Sequence, residues 1–326
     1  MIGNINNKIN YLRVSVTDRC NLRCLYCMPF DGIAKIDHRE ILQYEEILRI
    51  VQLAVQKGVN KIRVTGGEPL IRKGIVHFIE SLSHIPGVQN LSLTTNGILL
   101  REMASDLFNA GLRGVNVSMD SLDRMKFEEI TRGGDLEKVY EGMKEAMKVG
   151  LSPVKINTVV IRGFNDDEVV DFAKLSMNKP YHIRFIELMS VGSHCSWNHD
   201  RYVSSREVKE KIERFKELLP VHKDERGGPA RMFRFEGAVG EVGFISPYSD
   251  HFCSSCNRLR LTADGKLRTC LFSDEEVDVK YSLRDSLDDS ELEKLIDLAI
   301  TRKAERHHSG TKAPKKCSRN MSAIGG

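Results

Sequence analysis

Short runs of strand-favouring residues alternate with amphipathic stretches of helical period through the first two thirds of the chain. Six runs rich in β-branched residues predict strands at residues 11–16, 61–65, 91–95, 114–119, 154–161 and 182–188. Five stretches between them predict helices at residues 45–56, 73–83, 101–110, 136–148 and 166–177. Strands that alternate with helices pair in parallel through right-handed crossovers, so the pattern indicates an α/β fold. A doubly wound sheet and a (β/α) barrel both satisfy it.

The ends of the predicted strands favour the barrel. The loop after the first strand contains Cys20 and lacks the Gly-x-Gly-x-x-Gly of a dinucleotide-binding domain. Chemically versatile residues follow four other strands, at residues 66–69, 95–96, 118–120 and 187–190. Barrel enzymes gather their chemistry at this edge of the sheet. We therefore predict an incomplete (β/α)6 barrel of the TIM type.

The pattern changes after residue 191. Residues 204–219 and 282–300 predict helices, residues 241–246 a strand, and residues 258–270 a hairpin that turns at Asp264-Gly265. Because no Pro- or Ser-rich linker intervenes, we expect an α+β extension packed on the barrel and closing its mouth. The predicted division is a barrel over residues 1–191, the extension over residues 192–300, and a flexible basic tail over residues 301–326 that ends in Gly325-Gly326.

Composition and charge exclude several classes of protein. A hydrophobic fraction of 41% and a charged fraction of 29% are typical of a globular enzyme. No apolar run reaches the roughly 18 residues of a membrane span, and the polar start lacks a secretion signal, so we expect a cytoplasmic protein. The net charge is +4, but residues 302–319 contain seven cations and one acid, so the remainder carries −2. No aromatic residue is interleaved with those cations, so we expect a solvated tail and no nucleic-acid partner.

Six of the eight cysteines form two sets of three, Cys20, Cys24, Cys27 and Cys253, Cys256, Cys270. Disulfide scaffolds of this cysteine count belong to short secreted chains, whereas this chain is long. Clustered thiols in a reducing compartment bind metal or perform redox chemistry, so we expect two metal sites. Cys195 and Cys317 are expected to be bystander thiols.

The first set has the spacing Cys-x3-Cys-x2-Cys. Three thiolates on one tight loop can bind three corners of a [4Fe-4S] cluster and leave the fourth iron open to a small molecule. The alternative is a zinc site with a fourth ligand elsewhere, such as His38. Zinc loops favour paired Cys-x2-Cys units, so the spacing favours iron and sulfur.

The second set is Cys253-x2-Cys256 followed by Cys270. Its alternative interpretation is a zinc ribbon completed by His251. Arg258 and Arg260 follow the second cysteine closely, and guanidinium groups there would suit an anionic substrate beside an open iron. The spacing alone does not decide between a cluster and zinc.

The first triad and Gly66-Gly67-Glu68-Pro69 resemble the two signatures of the radical S-adenosylmethionine superfamily. The resemblance implies a full or partial (β/α) barrel in which one [4Fe-4S] cluster binds S-adenosylmethionine and cleaves it to a 5′-deoxyadenosyl radical. It further implies that Tyr26 contacts the adenine and that Gly67 lets the backbone approach the methionine amino group. Ser118 and Met189 would contact the rest of the cofactor.

Four segments, residues 12–29, 63–69, 184–189 and 252–261, and the terminal Gly-Gly resemble the molybdenum-cofactor biosynthesis protein A family. That family consists of GTP 3′,8-cyclases, so the resemblance implies a second [4Fe-4S] cluster whose open iron binds guanine. The radical would take H3′ of GTP, and C3′ would attack C8 to give 3′,8-cyclo-7,8-dihydro-GTP. The residues implied to hold GTP are Arg13, Arg63, Thr94, Lys155, Arg258 and Arg260.

The resemblance implies two further features. Gly325 and Gly326 would reach into the active site and act there with Arg258 and Arg260. The implied partners are a second copy of the chain, an electron donor such as flavodoxin or ferredoxin, and cyclic pyranopterin monophosphate synthase downstream. Two other classes remain as alternatives, another radical enzyme with an auxiliary cluster and a zinc-dependent nucleic-acid-binding protein.

Overall fold

The computed structural model describes residues 9–192, 199–221, 228–250, 253, 256–285, 288–308 and 317–325. Six parallel strands lie side by side in chain order: β1 Tyr11–Ser15, β2 Lys61–Thr65, β3 Asn90–Thr95, β4 Gly114–Ser118, β5 Val154–Val160 and β6 Tyr181–Glu187. This order confirms the predicted α/β fold. No helix among the described residues is long and apolar enough to cross a membrane.

Helices cover the outer face of these strands: α1 Tyr44–Gln56, α2 Ile75–Ser83, α3 Leu100–Asn109, α4 Arg124–Thr131, α5 Leu136–Lys148 and α6 Val169–Asn178. Because strand residues alternate between faces, Val14 and Val64 point out into the apolar core, where Ile47 and Ile50 of α1 are also buried. The polar residues between them, such as Arg13 and Arg63, are left for the inner face. The barrel interior is therefore unusually polar.

Two features of this region differ from the prediction. Helix α4 was not predicted, although Asp123 caps it by accepting a hydrogen bond from the Lys126 amide at 2.9 Å. Helix α6 begins at Val169 and not at residue 166, because the preceding residues form a turn. In that turn the Asn165 side chain accepts from the Ile161 amide at 2.7 Å, and Asp166 accepts from Gly163 at 2.7 Å.

The extension adds strands to both edges of the six-stranded sheet. Its elements are α7 Ser205–Glu213, β7 Leu219–Pro220, β8 Arg231–Arg234, β9 Glu241–Ile245, β10 Arg258–Leu261, β11 Lys266–Arg268, β12 Glu276–Asp278, α8 Lys280–Asp285, α9 Ser290–His308 and α10 Met321–Ile324. Strand β9 pairs in parallel with β6, and β10 pairs in parallel with β1. Among the described residues, the resulting 12-stranded sheet runs from β12 to β7 without pairing between these two end strands, so the barrel is unclosed, as expected.

The predicted hairpin at Asp264-Gly265 is confirmed, since β10 and β11 pair antiparallel across it. The helix predicted over residues 204–219 ends at Glu213. The helix predicted over residues 282–300 is two helices, α8 and α9. Asp288 marks the start of the second, since its side chain accepts a hydrogen bond from the Ser290 amide at 3.0 Å.

The end of the tail is packed against the protein, contrary to the expected flexible segment. Cys317 and Ile324 are buried beside Val191. The Arg319 guanidinium binds Asp264 at 2.9 Å and Glu276 at 2.8 Å. These apolar contacts and ion pairs explain why residues 317–325 are held in place. Residues 309–316 and Gly326 lie outside the described residues.

Candidate active site

All six clustered cysteines line one cavity of about 280 Å³ at the carboxyl ends of the barrel strands. None of the six forms a disulfide. The two sets are separated by more than 220 residues in sequence, and the pairing of β10 with β1 is what brings them to one cavity. Cys317 is buried in the tail beside Val191 and Ile324 and does not line the cavity, and Cys195 falls outside the described residues.

The first set lies on a tight loop. The Cys24 carbonyl accepts hydrogen bonds from the amides of Cys27 at 2.9 Å and Met28 at 3.1 Å. The loop is pinned to the end of α4, where the Arg23 amide donates to the Thr131 carbonyl at 3.1 Å. Burial raises the pKa of the Cys20 thiol to about 11. Binding of iron would therefore have to displace protons from this set.

Gly66-Gly67-Glu68-Pro69 packs directly against that loop. A Cβ at Gly67 would lie 2.2 Å from the Arg19 carbonyl oxygen, and the Gly67 amide donates to the Thr17 carbonyl at 2.7 Å. Gly67 lines the cavity, and its contact with a cofactor stays a prediction. Its requirement for glycine, however, comes from the close approach of the Arg19 backbone.

Glu68 is a buried carboxylate that fixes the end of β3. It accepts hydrogen bonds from the Thr95 hydroxyl at 2.8 Å and the Asn96 amide at 2.7 Å. Burial raises its pKa to about 7. The Asn96 side chain in turn reaches the Cys20 sulfur at 3.8 Å. Glu68 thus joins the second strand end to the first cysteine loop through the third strand.

Tyr26, Ser118 and Met189 all line the cavity, and their cofactor contacts stay predictions. The Tyr26 hydroxyl donates to Asp120 at 2.7 Å, and Asp120 also accepts from the Val159 amide at 2.8 Å. Burial raises the pKa of Asp120 to about 6. Asp120 was not singled out in the sequence, although its place just after β4 was a signal.

The second set sits in a strongly positive environment. Although burial opposes the shift, the charges of Arg258 and Lys303 lower the pKa of the Cys256 thiol to about 6. Lys303 donates to the Cys256 sulfur at 3.2 Å. His251, proposed as a zinc ligand, lies outside the described residues. Within the described part, no three His, Cys, Asp or Glu side chains could hold a single metal ion. Three thiolates are the donor set of a [4Fe-4S] cluster with one open iron, so the cysteines present fit such a cluster.

Cations face the cavity from several strands. Arg13, Arg63, Arg258 and Arg260 line it, as does Thr94. Arg184 lines it too and was missed as a site residue, although its inward position on β6, opposite Asn157 on β5, follows from strand alternation. Among the described residues, the buried Thr94 Oγ1, Asn157 Oδ1 and Arg184 Nε atoms have no hydrogen-bond partner. The Thr94 hydroxyl and the Arg184 Nε–H can donate to an anionic ligand, and the Asn157 oxygen can accept from a donor on it.

Lys155 lies one layer of inward-facing side chains deeper in the barrel than Asn157, and it does not line the cavity. Its neighbours across the sheet are Asn116 on β4 and His182 on β6. Burial and then the positive charges of Arg184, Arg63 and Lys61 lower its pKa to about 7. An anion placed above this layer would favour its charged form.

The C-terminal segment lies against the ends of β1 and β2, where Gly325 approaches Ser15 and Thr65. The Gly325 carbonyl accepts a hydrogen bond from Arg260 at 2.9 Å. Gly325 is buried with a φ of 69°, and a Cβ there would lie 2.8 Å from Thr65 Cγ2. Met321 and Ser322 line the cavity itself. Gly325 therefore lies beside Arg260, a residue that lines the cavity, and its part in the reaction stays a prediction.

Comparison with known proteins agrees with this arrangement. SuiB of Streptococcus suis, solved with bound S-adenosylmethionine, has 13% identity and a TM-score of 0.61 over 87% of this chain and 67% of that one. Methylornithine synthase (PylB) has 13% identity and a TM-score of 0.51 over 64% of this chain and 63% of that one. The family model described as Radical SAM superfamily matches residues 14–176, half of the chain. Fold and cysteine loop together define a radical S-adenosylmethionine protein.

The remainder of the chain narrows the assignment. The family model described as Molybdenum Cofactor Synthesis C matches residues 181–309. The GTP 3′,8-cyclase of Thermodesulfovibrio yellowstonii is 52% identical over 100% of both chains, and that of Alkaliphilus oremlandii is 49% identical over 98% of both. The chain belongs to the GTP 3′,8-cyclase family.

Proposed function

We propose that this protein converts GTP to 3′,8-cyclo-7,8-dihydro-GTP, the first step of molybdenum cofactor biosynthesis. The observation that carries the proposal is the shared cavity, which brings both cysteine sets and the inward-facing arginines together. One cysteine set without the cations would suit many radical enzymes. The combination suits an anionic substrate held between two iron–sulfur sites.

Cys20, Cys24 and Cys27 would hold a [4Fe-4S] cluster, with S-adenosylmethionine beside Tyr26, Gly67, Ser118 and Met189. When bound, these groups supply the one-electron chemistry that removes the hydrogen from C3′ of the substrate. The protein's part is to orient them. The Asp120 carboxylate fixes the Tyr26 hydroxyl, and Glu68 fixes the loop that contacts Cys20 through Asn96.

Cys253, Cys256 and Cys270 would hold the second [4Fe-4S] cluster next to the guanine base. The triphosphate brings about four negative charges, and guanidinium groups bind such oxygens in bidentate fashion. The residues assigned to GTP are Arg13, Arg63, Thr94, Lys155, Arg258 and Arg260, to which the structure adds Arg184. The burial of four of these cations supports the assignment, since several buried cations in one cavity require a compensating anion; the four are Arg13, Arg63, Arg184 and Arg260.

Gly325 and Gly326, with Arg258 and Arg260, would complete the site during cyclisation. The contact between Arg260 and the Gly325 carbonyl supports this role. The proposal also includes the barrel at residues 1–191 as the half that holds S-adenosylmethionine and residues 192–300 as the half that holds the second cluster. It includes a homodimer, an external electron donor such as flavodoxin or ferredoxin, and consumption of the product by cyclic pyranopterin monophosphate synthase. A reducing cytoplasm would keep the cluster thiols available.

The test compares one cysteine from each set. Protein purified without oxygen should be brown and contain about eight irons per chain. Cys24→Ala should abolish cleavage of S-adenosylmethionine, whereas Cys256→Ala should retain some cleavage and lose cyclisation of GTP. Cys195→Ala, outside both sets, is the matched control and should retain both activities. A colourless protein that contains zinc, or equal loss of both activities in both variants, would refute the proposal. Cleavage without any cyclisation in the parent protein would favour another radical enzyme.

A further inference from the structure

Lys303 on α9 is a buried lysine beside the second cysteine set. The residue is only 3% exposed, although lysine is rarely buried unless it is paired. Its Nζ atom donates to the Cys256 sulfur at 3.2 Å and to the Thr269 carbonyl at 2.8 Å. Among the described residues, no carboxylate lies within ion-pair distance of it.

The two hydrogen bonds of Lys303 connect the two chain segments that carry Cys256 and Cys270. Cys256 lies just before β10, whereas Thr269 directly precedes Cys270 in the segment that follows β11. Helix α9 also contacts β10, β11 and β12, so the ammonium group is held by a rigid element. Lys303 therefore restrains the position of the Cys256 sulfur relative to the strand that leads to Cys270.

The charge of Lys303 has a second consequence. A buried ammonium group is costly unless an anion or strong acceptors compensate it, and the sulfur of Cys256 is the anionic partner available. A hydrogen bond from a cation draws electron density from a ligating thiolate. Hydrogen bonds to the sulfurs and net charge are two of the factors that set the reduction potential of an iron–sulfur site.

We propose that Lys303 is a positioning residue for the second cluster, which holds the Cys256 sulfur and raises the reduction potential of that cluster alone. This inference rests on the proposed function, which assigns a [4Fe-4S] cluster to Cys253, Cys256 and Cys270. Arg258 also lies near Cys256 and, like Lys303, lines the cavity, but Arg258 is the one assigned to GTP. Lys303 is set apart from it by its bond to the Thr269 backbone.

The experiment measures the midpoint potentials of both clusters by anaerobic redox titration followed by electron paramagnetic resonance. Lys303→Met removes the charge and keeps much of the side-chain volume, and Lys303→Arg keeps the charge. Lys294→Met is the matched control, because Lys294 lies exposed on the same helix. Iron content is measured on every sample, so that loss of a cluster is recognised separately from a shift in its potential.

Lys303→Met should make the second potential more negative by about 59 mV, the equivalent of a tenfold change in the one-electron equilibrium. The first cluster should not shift, and Lys303→Arg should remain near the parent. Loss of only the second cluster's irons in Lys303→Met, restored in Lys303→Arg, also supports the role. Unchanged potentials with full iron content, or equal effects on both clusters, would overturn the inference. A parent protein with no second-cluster signal would instead refute the proposed function.

Discussion

Gly325→Ala tests whether the docked C-terminal segment takes part in the reaction. Gly325 is buried in the left-handed region at a φ of 69°, and its carbonyl accepts from Arg260. An added Cβ would lie 2.8 Å from Thr65 Cγ2 and 3.1 Å from Ser15 Cβ. One methyl group therefore introduces both backbone strain and a clash, without removing any polar contact.

The expected magnitude follows from these two costs. The left-handed conformation costs a residue other than glycine about 1–2 kcal/mol. Forcing an extra methyl group into a packed site costs about 1–3 kcal/mol. The sum, about 2–5 kcal/mol, lowers the docked population of the segment relative to the undocked one by about 30-fold to about 5,000-fold. The free energy of unfolding of the barrel should change little, because the strain is relieved when the short segment undocks.

The assay follows GTP cyclisation and S-adenosylmethionine cleavage in the same sample, together with the rate at which carboxypeptidase removes C-terminal residues. Gly325→Ala should lose cyclisation, retain both clusters and be trimmed faster. Gly237→Ala is the matched control, because Gly237 has a φ of 76° but open space around its would-be Cβ. Adding Thr65→Ser removes the nearest atom and should restore part of the loss. Full cyclisation in Gly325→Ala, with trimming as slow as in the parent, would refute the reasoning.

Three further predictions concern charged residues. Arg319→Met breaks the ion pairs with Asp264 and Glu276 and should weaken docking of the tail by about 1.5–3 kcal/mol; unchanged carboxypeptidase trimming would contradict this. At pH 8 the pKa of Lys155, about 7, leaves its amine mostly neutral, so GTP binding should take up close to one proton. Calorimetry in two buffers should detect that uptake, and Lys155→Met should lack it. Burial raises the pKa of Glu68 to about 7, so the folded state holds this proton more tightly than the unfolded state. The protonated Glu68 carboxyl should stabilise the folded state fully below about pH 4.5, and this contribution should fall by about 3 kcal/mol between pH 4.5 and pH 7. Denaturant titrations of the metal-free protein should show this fall in the free energy of unfolding, and those of metal-free Glu68→Gln should not.

The six barrel strands could be predicted to within one residue at each end because their signal is local. Each strand alternates outward apolar residues with inward polar ones, as in Lys61–Thr65, and glycine or polar turns bound it. The pairing of β9 with β6 and of β10 with β1 could not be predicted. These pairs join distant segments, and no short pattern specifies which sheet edge a strand will join.

The candidate site, like the fold, could be predicted only where the signal in the sequence is local. The cysteine sets were found because three thiols at short spacing form a motif. Asp120 and Arg184 were given no role, although the end of β4 and the inner face of β6 were signals for them. Asn157 and Lys303 were missed because each is a single polar residue whose neighbours in sequence reveal nothing. Their importance comes from where the sheet and α9 place them, as with Lys303, which lies 47 residues from the Cys256 sulfur that it contacts.

The positions of the cations change the interpretation of the chain's net positive charge. Arg319 and Lys303 were counted with the basic tail. Arg319 in fact binds Asp264 and Glu276, and Lys303 donates to the Cys256 sulfur. The cations proposed to bind the substrate include Arg184 and Arg260, which are buried in the barrel. Burial lowers the pKa of both to about 10, and neighbouring arginines add to the effect. Such mutual repulsion destabilises the protein in the absence of an anion. A polyphosphate that enters the cavity would neutralise these charges. Part of the free energy of substrate binding would then come from relief of the repulsion between them.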